Sequence, residues 1–201
     1  MVEKALFQGG ISQIFLMVSA VLLFFSWMWE PLLFGIGAQI VFLISAILYM
    51  ISIGEISRRF SGSPIGRIGA IYGLITGTIA LVLYIVAQII YPIVGYDIWQ
   101  YYLYLFLIMP AVTIGGTATL IGVFFLAYRR YFAYEPFWIT TGIIYMITGI
   151  TYLITYSAWA YLIISSDWYM TALWVVSLVA IMVGSIEGTV CFFVSKPKGS
   201  T

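Results

Sequence analysis

The sequence predicts an all-α polytopic membrane protein, a single bundle over 1–201 with six transmembrane helices and both termini cytoplasmic. Three observations predict it. Hydrophobic residues make up 64% of the chain and charged residues 7%, against roughly 45–50% and 25% in an ordinary soluble domain. Six apolar runs each meet the length of about 20 residues that a helix needs to cross a bilayer. All eight Lys and Arg fall at the N-terminus, in alternate connections or at the C-terminus, and so on one face of a six-span chain.

The runs lie at about 9–29, 32–54, 68–95, 101–127, 137–164 and 168–194. The first is preceded by Glu3 and Lys4, and at about 20 residues it exceeds the core of a secretory signal peptide, so it is expected to be retained. "WMWEP" separates it from the second run, and "EISRRFSGSPIGR" separates the second from the third. "GYDIWQYY", "YRRYFAYEP" and "SSDW" close the remaining gaps. All six runs are too long for barrel strands of about 10 residues, and only helices or closed barrels satisfy the backbone within hydrocarbon. Lys4, Arg58, Arg59, Arg67, Arg129, Arg130, Lys196 and Lys198 mark the cytoplasmic face by the positive-inside rule. The opposite face carries Glu30, Asp97 and Asp167 beside Trp27, Trp29, Trp99 and Trp168, an aromatic belt with acids.

Composition also excludes functions. A net charge of +1 without a basic block gives nucleic acid no phosphate-binding surface. The absence of histidine removes the commonest metal ligand and proton shuttle, and every His-based triad. No lysine lies within a span to replace histidine beside a serine nucleophile, Cys191 has no obvious base, and no phosphate-cradling glycine motif is present. The chain is therefore not expected to be an enzyme or to hold a cofactor or metal. The arginines of the two basic connections read as ordinary topology determinants, with a grip on lipid headgroups as the alternative.

The stretch "GEISRRFSGSPIGRIGAIYGLITG", from Gly54, resembles loops in uncharacterised archaeal multi-pass membrane proteins. The resemblance covers about a fifth of the chain, contains no catalytic motif and implies no activity. Part of the same stretch can be laid over "RRYFAYEPFWITTGIIYMITG" from Arg129. A true duplication would make spans 2–3 and 4–5 parallel repeats, as in some transporters; chance matching among such common residues is the competing explanation.

Small residues predict the packing faces. Gly69, Gly73 and Gly77 share one face of span 3, Ala111, Gly115 and Thr119 one face of span 4, and Gly184 and Gly188 one face of span 6. Small residues bring helices together in lipid by allowing close backbone approach. Pro110 is placed to kink span 4. In span 5, Thr141, Tyr145, Thr148, Tyr152, Thr155 and Trp159 form a single stripe of hydroxyls and rings, which belongs against protein or a cavity rather than lipid. Gln39 and Gln88 lie at matching depths in adjacent spans and are placed to pair.

Glu187 is the unusual residue. No charged side chain lies within eight positions of it, and a carboxyl inside the bilayer is costly. Matching depths name Tyr72 and Thr76 of span 3 and Tyr145 and Thr148 of span 5 as its expected partners, since a protonated carboxyl donates to one hydroxyl and accepts from another. Three functions follow in order of expectation. The first is a non-catalytic subunit of a larger membrane assembly, such as a respiratory-type complex, with membrane lipids and other membrane subunits as partners. The second is a small proton- or cation-coupled carrier or channel using Glu187. The third is a lipid- or quinone-binding protein using the span 5 stripe.

Overall fold

The computed structural model describes residues 2–28, 31–60, 64–94, 111–162 and 168–198. The side chains of Gln88, Thr155 and Trp159, the proposed kink at Pro110 and the whole outer belt of tryptophans and acids lie outside that description.

The helices are α1 (Val2–Met28), α2 (Pro31–Phe60), α3 (Ile65–Val94), α4 (Gly116–Tyr128), α5 (Glu135–Leu162) and α6 (Trp168–Val194). A π-helical turn, Ala111–Gly115, leads into α4, and a 3-10 turn, Arg129–Tyr131, leaves it. Among the described residues six helical stretches are long and apolar enough to cross a membrane, the fourth, Val112–Tyr131, running from the π-helical turn through α4 to the 3-10 turn. Two boundaries differ from the sequence expectation. α1 begins at Val2, and α2 continues through Arg58 and Arg59 to Phe60. Hydropathy ends a span where charge begins, whereas "GEISRRF" contains no helix breaker after Gly54, so the backbone keeps its ladder beyond the apolar stretch.

Each helix packs on its neighbours in sequence, and α6 returns to α1, so the six form a closed antiparallel ring. The α1–α2 seam is a ladder of serines. Ser52 donates to the Ala5 carbonyl at 2.7 Å, Ser45 to Ser12 at 2.7 Å, and Ser19 to Ala38 at 2.9 Å. Each rung lies seven residues from the next, the repeat of a left-handed helix pair. Across α4 and α5 the same repeat is made by glycines. A Cβ on Gly122 would sit 2.6 Å from the Gly142 carbonyl oxygen, and one on Gly149 would sit 2.6 Å from that of Gly115. Backbone thus meets backbone, an approach only glycine allows.

The glycine face of α3 is turned to both neighbours: Gly69 meets Leu120 of α4, Gly73 meets Thr117 of α4, and Gly77 meets Phe42 and Leu43 of α2. Outward positions are aliphatic. Ile68, Ile71, Ile75 and Ile79 on α3, and Ile143, Ile147, Ile150 and Ile154 on α5, are all exposed.

At the basic end the ring is filled by aromatic rings. Phe124, Phe125, Tyr128, Phe132, Trp138 and Phe192 are each fully buried. The chain turns into α5 at Tyr134, whose φ of 63° lies in the left-handed region. The C-terminal tail then docks back. Phe132 and Pro197 form an antiparallel bridge, Ala133 N donates to the Lys196 carbonyl at 2.8 Å, and Lys198 N donates to the Tyr131 carbonyl at 2.9 Å. Glu135 receives Lys198 Nζ at 3.1 Å and Arg129 Nε at 3.6 Å.

Candidate functional site

At about mid-depth three helices are tied by one tyrosine. Tyr145 lies ten residues into α5, Gln13 eleven residues into α1 and Ser185 nine residues before the end of α6. At about 1.5 Å per residue each is about 15 Å from the basic end. The Tyr145 hydroxyl donates to Gln13 Oε1 and lies 3.2 Å from the Ser185 hydroxyl, which itself donates to the Ile181 carbonyl at 2.8 Å. All three residues are buried. Gly188 makes room for the junction, since a Cβ there would sit 3.2 Å from the Tyr145 ring and 3.3 Å from Gln13. Gly184, one turn away, faces Ile144 and Tyr145 at 3.4 and 3.7 Å. The Tyr145 ring lies parallel to Phe125, with centroids 6.0 Å apart. Tyr49 of α2, whose buried hydroxyl has no hydrogen-bond partner among the described residues, is within electrostatic reach of Tyr145.

Glu187 sits beside this junction but is not a member of it. It is half-buried, and Oε2 is enclosed without a hydrogen-bond partner among the described residues. Tyr145 and Cys191 are close enough to interact with it electrostatically. Its neighbours on the helix divide: Gly184 and Cys191 are buried, while Val183 and Val190 are exposed. The carboxyl therefore lies at the edge of α6, where the contact with α5 gives way to the bundle exterior.

Of the four hydroxyl residues expected around Glu187, Tyr145 lies near it, and the Tyr145 hydroxyl hydrogen goes to Gln13. Tyr72 instead donates to the Val112 carbonyl at 2.8 Å, and Thr76 to the Tyr72 carbonyl of its own helix at 2.8 Å. Tyr72 and Thr76 thus spend their hydroxyl hydrogens elsewhere: α3 packs chiefly on α2 and α4, whereas α6 packs chiefly on α5 and α1. Depth was matched, but position around the ring was not. Thr148 is buried one turn from Tyr145, and Thr141, Tyr145, Thr148 and Tyr152 all point into the bundle. The Gln39 amide is buried, and among the described residues, which leave out the Gln88 side chain, neither its oxygen nor its nitrogen is bonded.

Gln13 and Ser185 are the residues that sequence reasoning missed. A signal existed. Gln13 follows Gly9 by four on a face that also carries Ser12, and Ser185 lies between Gly184 and Glu187. The glycine pairs 115/122 and 142/149, each spaced by seven, were equally available and name the seam where backbone meets backbone.

No family model, no curated protein and no solved structure matches the chain.

The junction yields a direct prediction. Tyr145→Phe keeps the ring stack and removes the shared hydroxyl, leaving Gln13 Oε1 without its donor. The expected loss is about 1–3 kcal/mol of stability, measured by unfolding in mixed detergent micelles. A loss below about 0.5 kcal/mol, close to the average for hydrogen bonds between membrane helices, would show that the junction does not hold the three helices.

Proposed function

We propose that the chain is a non-catalytic subunit of a larger assembly in the cell membrane, with its basic end and both termini on the cytoplasmic side. The observation that carries this reading is Glu187: a carboxyl about 10 Å inside the end of α6, at the outer edge of the α5–α6 seam, with Oε2 enclosed and unbonded. Charged or polar groups at such depths cost several kcal/mol unless partnered. Among the described residues Oε2 finds no hydrogen-bond partner, while the flanking Val183 and Val190 point outward. A transmembrane helix of another subunit, presenting an amide, hydroxyl or basic side chain at that level, completes the site. The interior supports the same reading. The basic half of the ring is filled with close-packed rings, and Thr141, Tyr145, Thr148 and Tyr152 of the span 5 stripe are turned into protein.

The test is photo-crosslinking in native membranes with a reactive residue at Val183 or Val190, and at Ile71 or Ile75 of α3 as the control face. The expected result is a discrete adduct to a different polypeptide from the α5–α6 face alone, reduced several-fold by Glu187→Leu. Adducts only to lipid, or only to a second copy of this chain, would overturn the subunit reading.

A second reading, a small proton- or cation-coupled carrier using Glu187, draws on the buried groups Gln39, Tyr49, Thr113 and Thr117, which have no side-chain hydrogen-bond partner among the described residues and offer polar footholds within the ring. Proteoliposome flux that is abolished by Glu187→Gln, from a protein running alone in detergent, would favour it.

A further inference from the structure

At the basic end, the start of α1 and the end of α6 enclose a cleft of about 240 Å³. Its apolar side is formed by Leu6, Phe7, Phe192 and Phe193, and its charged side by Glu3 and Lys196. Phe7 and Phe193 are largely exposed, with ring centroids 5.7 Å apart. The two helices come this close because Gly9 and Gly10 lie against the rings of Phe192 and Phe193.

The two charges are of opposite sign and line one cleft, yet no ion pair joins them among the described residues. The other described acids of this end are engaged: Glu55 with Arg58 at 3.4 Å, and Glu135 with Lys198 and Arg129. Glu3 is held in the first turn of α1, and Lys196 is anchored through its own carbonyl, which accepts from Ala133 N. Anion and cation are thus held separately, on an apolar floor, at the level where a six-span protein meets lipid headgroups.

We propose that this cleft binds the headgroup of a zwitterionic phospholipid bearing a primary ammonium, phosphatidylethanolamine. The Glu3 carboxylate accepts charge-assisted hydrogen bonds from the ammonium, Lys196 donates to the phosphate, and the glycerol and first methylenes lie on Phe7 and Phe193. The volume agrees, being below the roughly 300–1,000 Å³ of pockets that enclose a whole drug-sized ligand and suited to a headgroup whose chains remain in the bilayer. A trimethylammonium offers Glu3 no hydrogen to accept, and an anionic headgroup without an amine leaves Glu3 facing its phosphate.

The test is native mass spectrometry of the full chain, delipidated and then titrated separately with phosphatidylethanolamine, phosphatidylcholine and phosphatidylglycerol in mixed micelles. One phosphatidylethanolamine should be retained with about tenfold preference over either competitor, the worth of one charge-assisted hydrogen bond. Glu3→Gln should erase its preference over phosphatidylcholine, and Lys196→Gln should weaken retention of all three lipids. Both side chains are exposed, and continued protection of buried Cys191 from a thiol reagent verifies that the variants fold. Equal retention of the three lipids, better retention of phosphatidylglycerol, or a preference surviving Glu3→Gln would overturn the proposal. So would displacement by soluble phosphoethanolamine at the same concentration, since the aromatic floor would then contribute nothing.

Discussion

Trp138→Ala is expected to cost about 3–5 kcal/mol of stability, the range for truncating a fully enclosed large aromatic. The side chain is 0% exposed and joins separate parts of the fold. It stacks on Phe132 at 4.3 Å, meets Phe125 of α4 at 5.0 Å, and meets Phe192 of α6 at 5.9 Å. Its Nε1 donates to Ser195 Oγ at 2.7 Å, tying α5 to the C-terminal tail. Removing the ring opens a cavity among side chains that already occupy one another's space, so collapse recovers little. Trp138→Phe should retain part of the stacking and lose the tail bond, giving an intermediate loss. The chain's single cysteine, Cys191, is buried four residues from Ser195, so its reaction with a thiol-specific fluorophore during unfolding reports the change. A loss under about 1 kcal/mol would show that the ring cluster is loosely packed.

Leucine at Gly142 is the second large effect, and it acts by separation rather than by cavity. Even a Cβ there would lie 2.9 Å from the Gly122 carbonyl oxygen and 2.8 Å from Leu126 Cγ. Backbone on the far side cannot rotate away as a side chain can, so α4 and α5 must move apart along the whole seam. The cost should reach or exceed the upper end of the roughly 1–3 kcal/mol range for overpacking. Gly122→Ala and Gly142→Ala should each destabilise. Combined, they should cost less than the sum, because the first separation already relieves the second contact. Gly54→Ala is the control: nothing lies within 4 Å of the added Cβ, and a helix-interior glycine gains by the change. Equal effects at Gly54 and Gly142 would refute the seam.

These two residues illustrate different degrees of foresight from sequence. The glycines of α3 and α6 were visible because spacing by four marks one helix face. The seam where backbone meets backbone was not, because spacing by seven from Gly115 into α4 and within α5 becomes meaningful only when the two helices are set antiparallel in one register. Nothing in the sequence marks Trp138 as enclosed. Its enclosure depends on Phe132, Phe192 and Ser195, which are brought to it by a turn and by a tail.

Glu187 shows the same division. That an isolated carboxyl inside a span needs an explanation follows from its surroundings in the chain. Which residues surround it does not. Tyr72 and Thr76 matched it in depth, but a ring of six helices gives each helix two main neighbours, and depth is blind to which two they are. Gln13 could not be paired with Tyr145 without knowing that α1 closes against α5 and α6.

By itself, the sequence determined the solvent and the count. A chain so poor in charge must satisfy its backbone within hydrocarbon, its apolar runs each match one crossing, and its basic residues share one end. The tertiary structure alone decided rotation and register: which face of each helix meets protein, that Glu187 lies at an edge, and that Tyr145 bonds Gln13. The reason is physical. In water a helix advertises its buried face by being apolar there and polar elsewhere, but in lipid the inward and outward faces are equally apolar. What distinguishes them is the fit of glycines, serines and rings against helices far away in the chain, and that exists only once the bundle has closed.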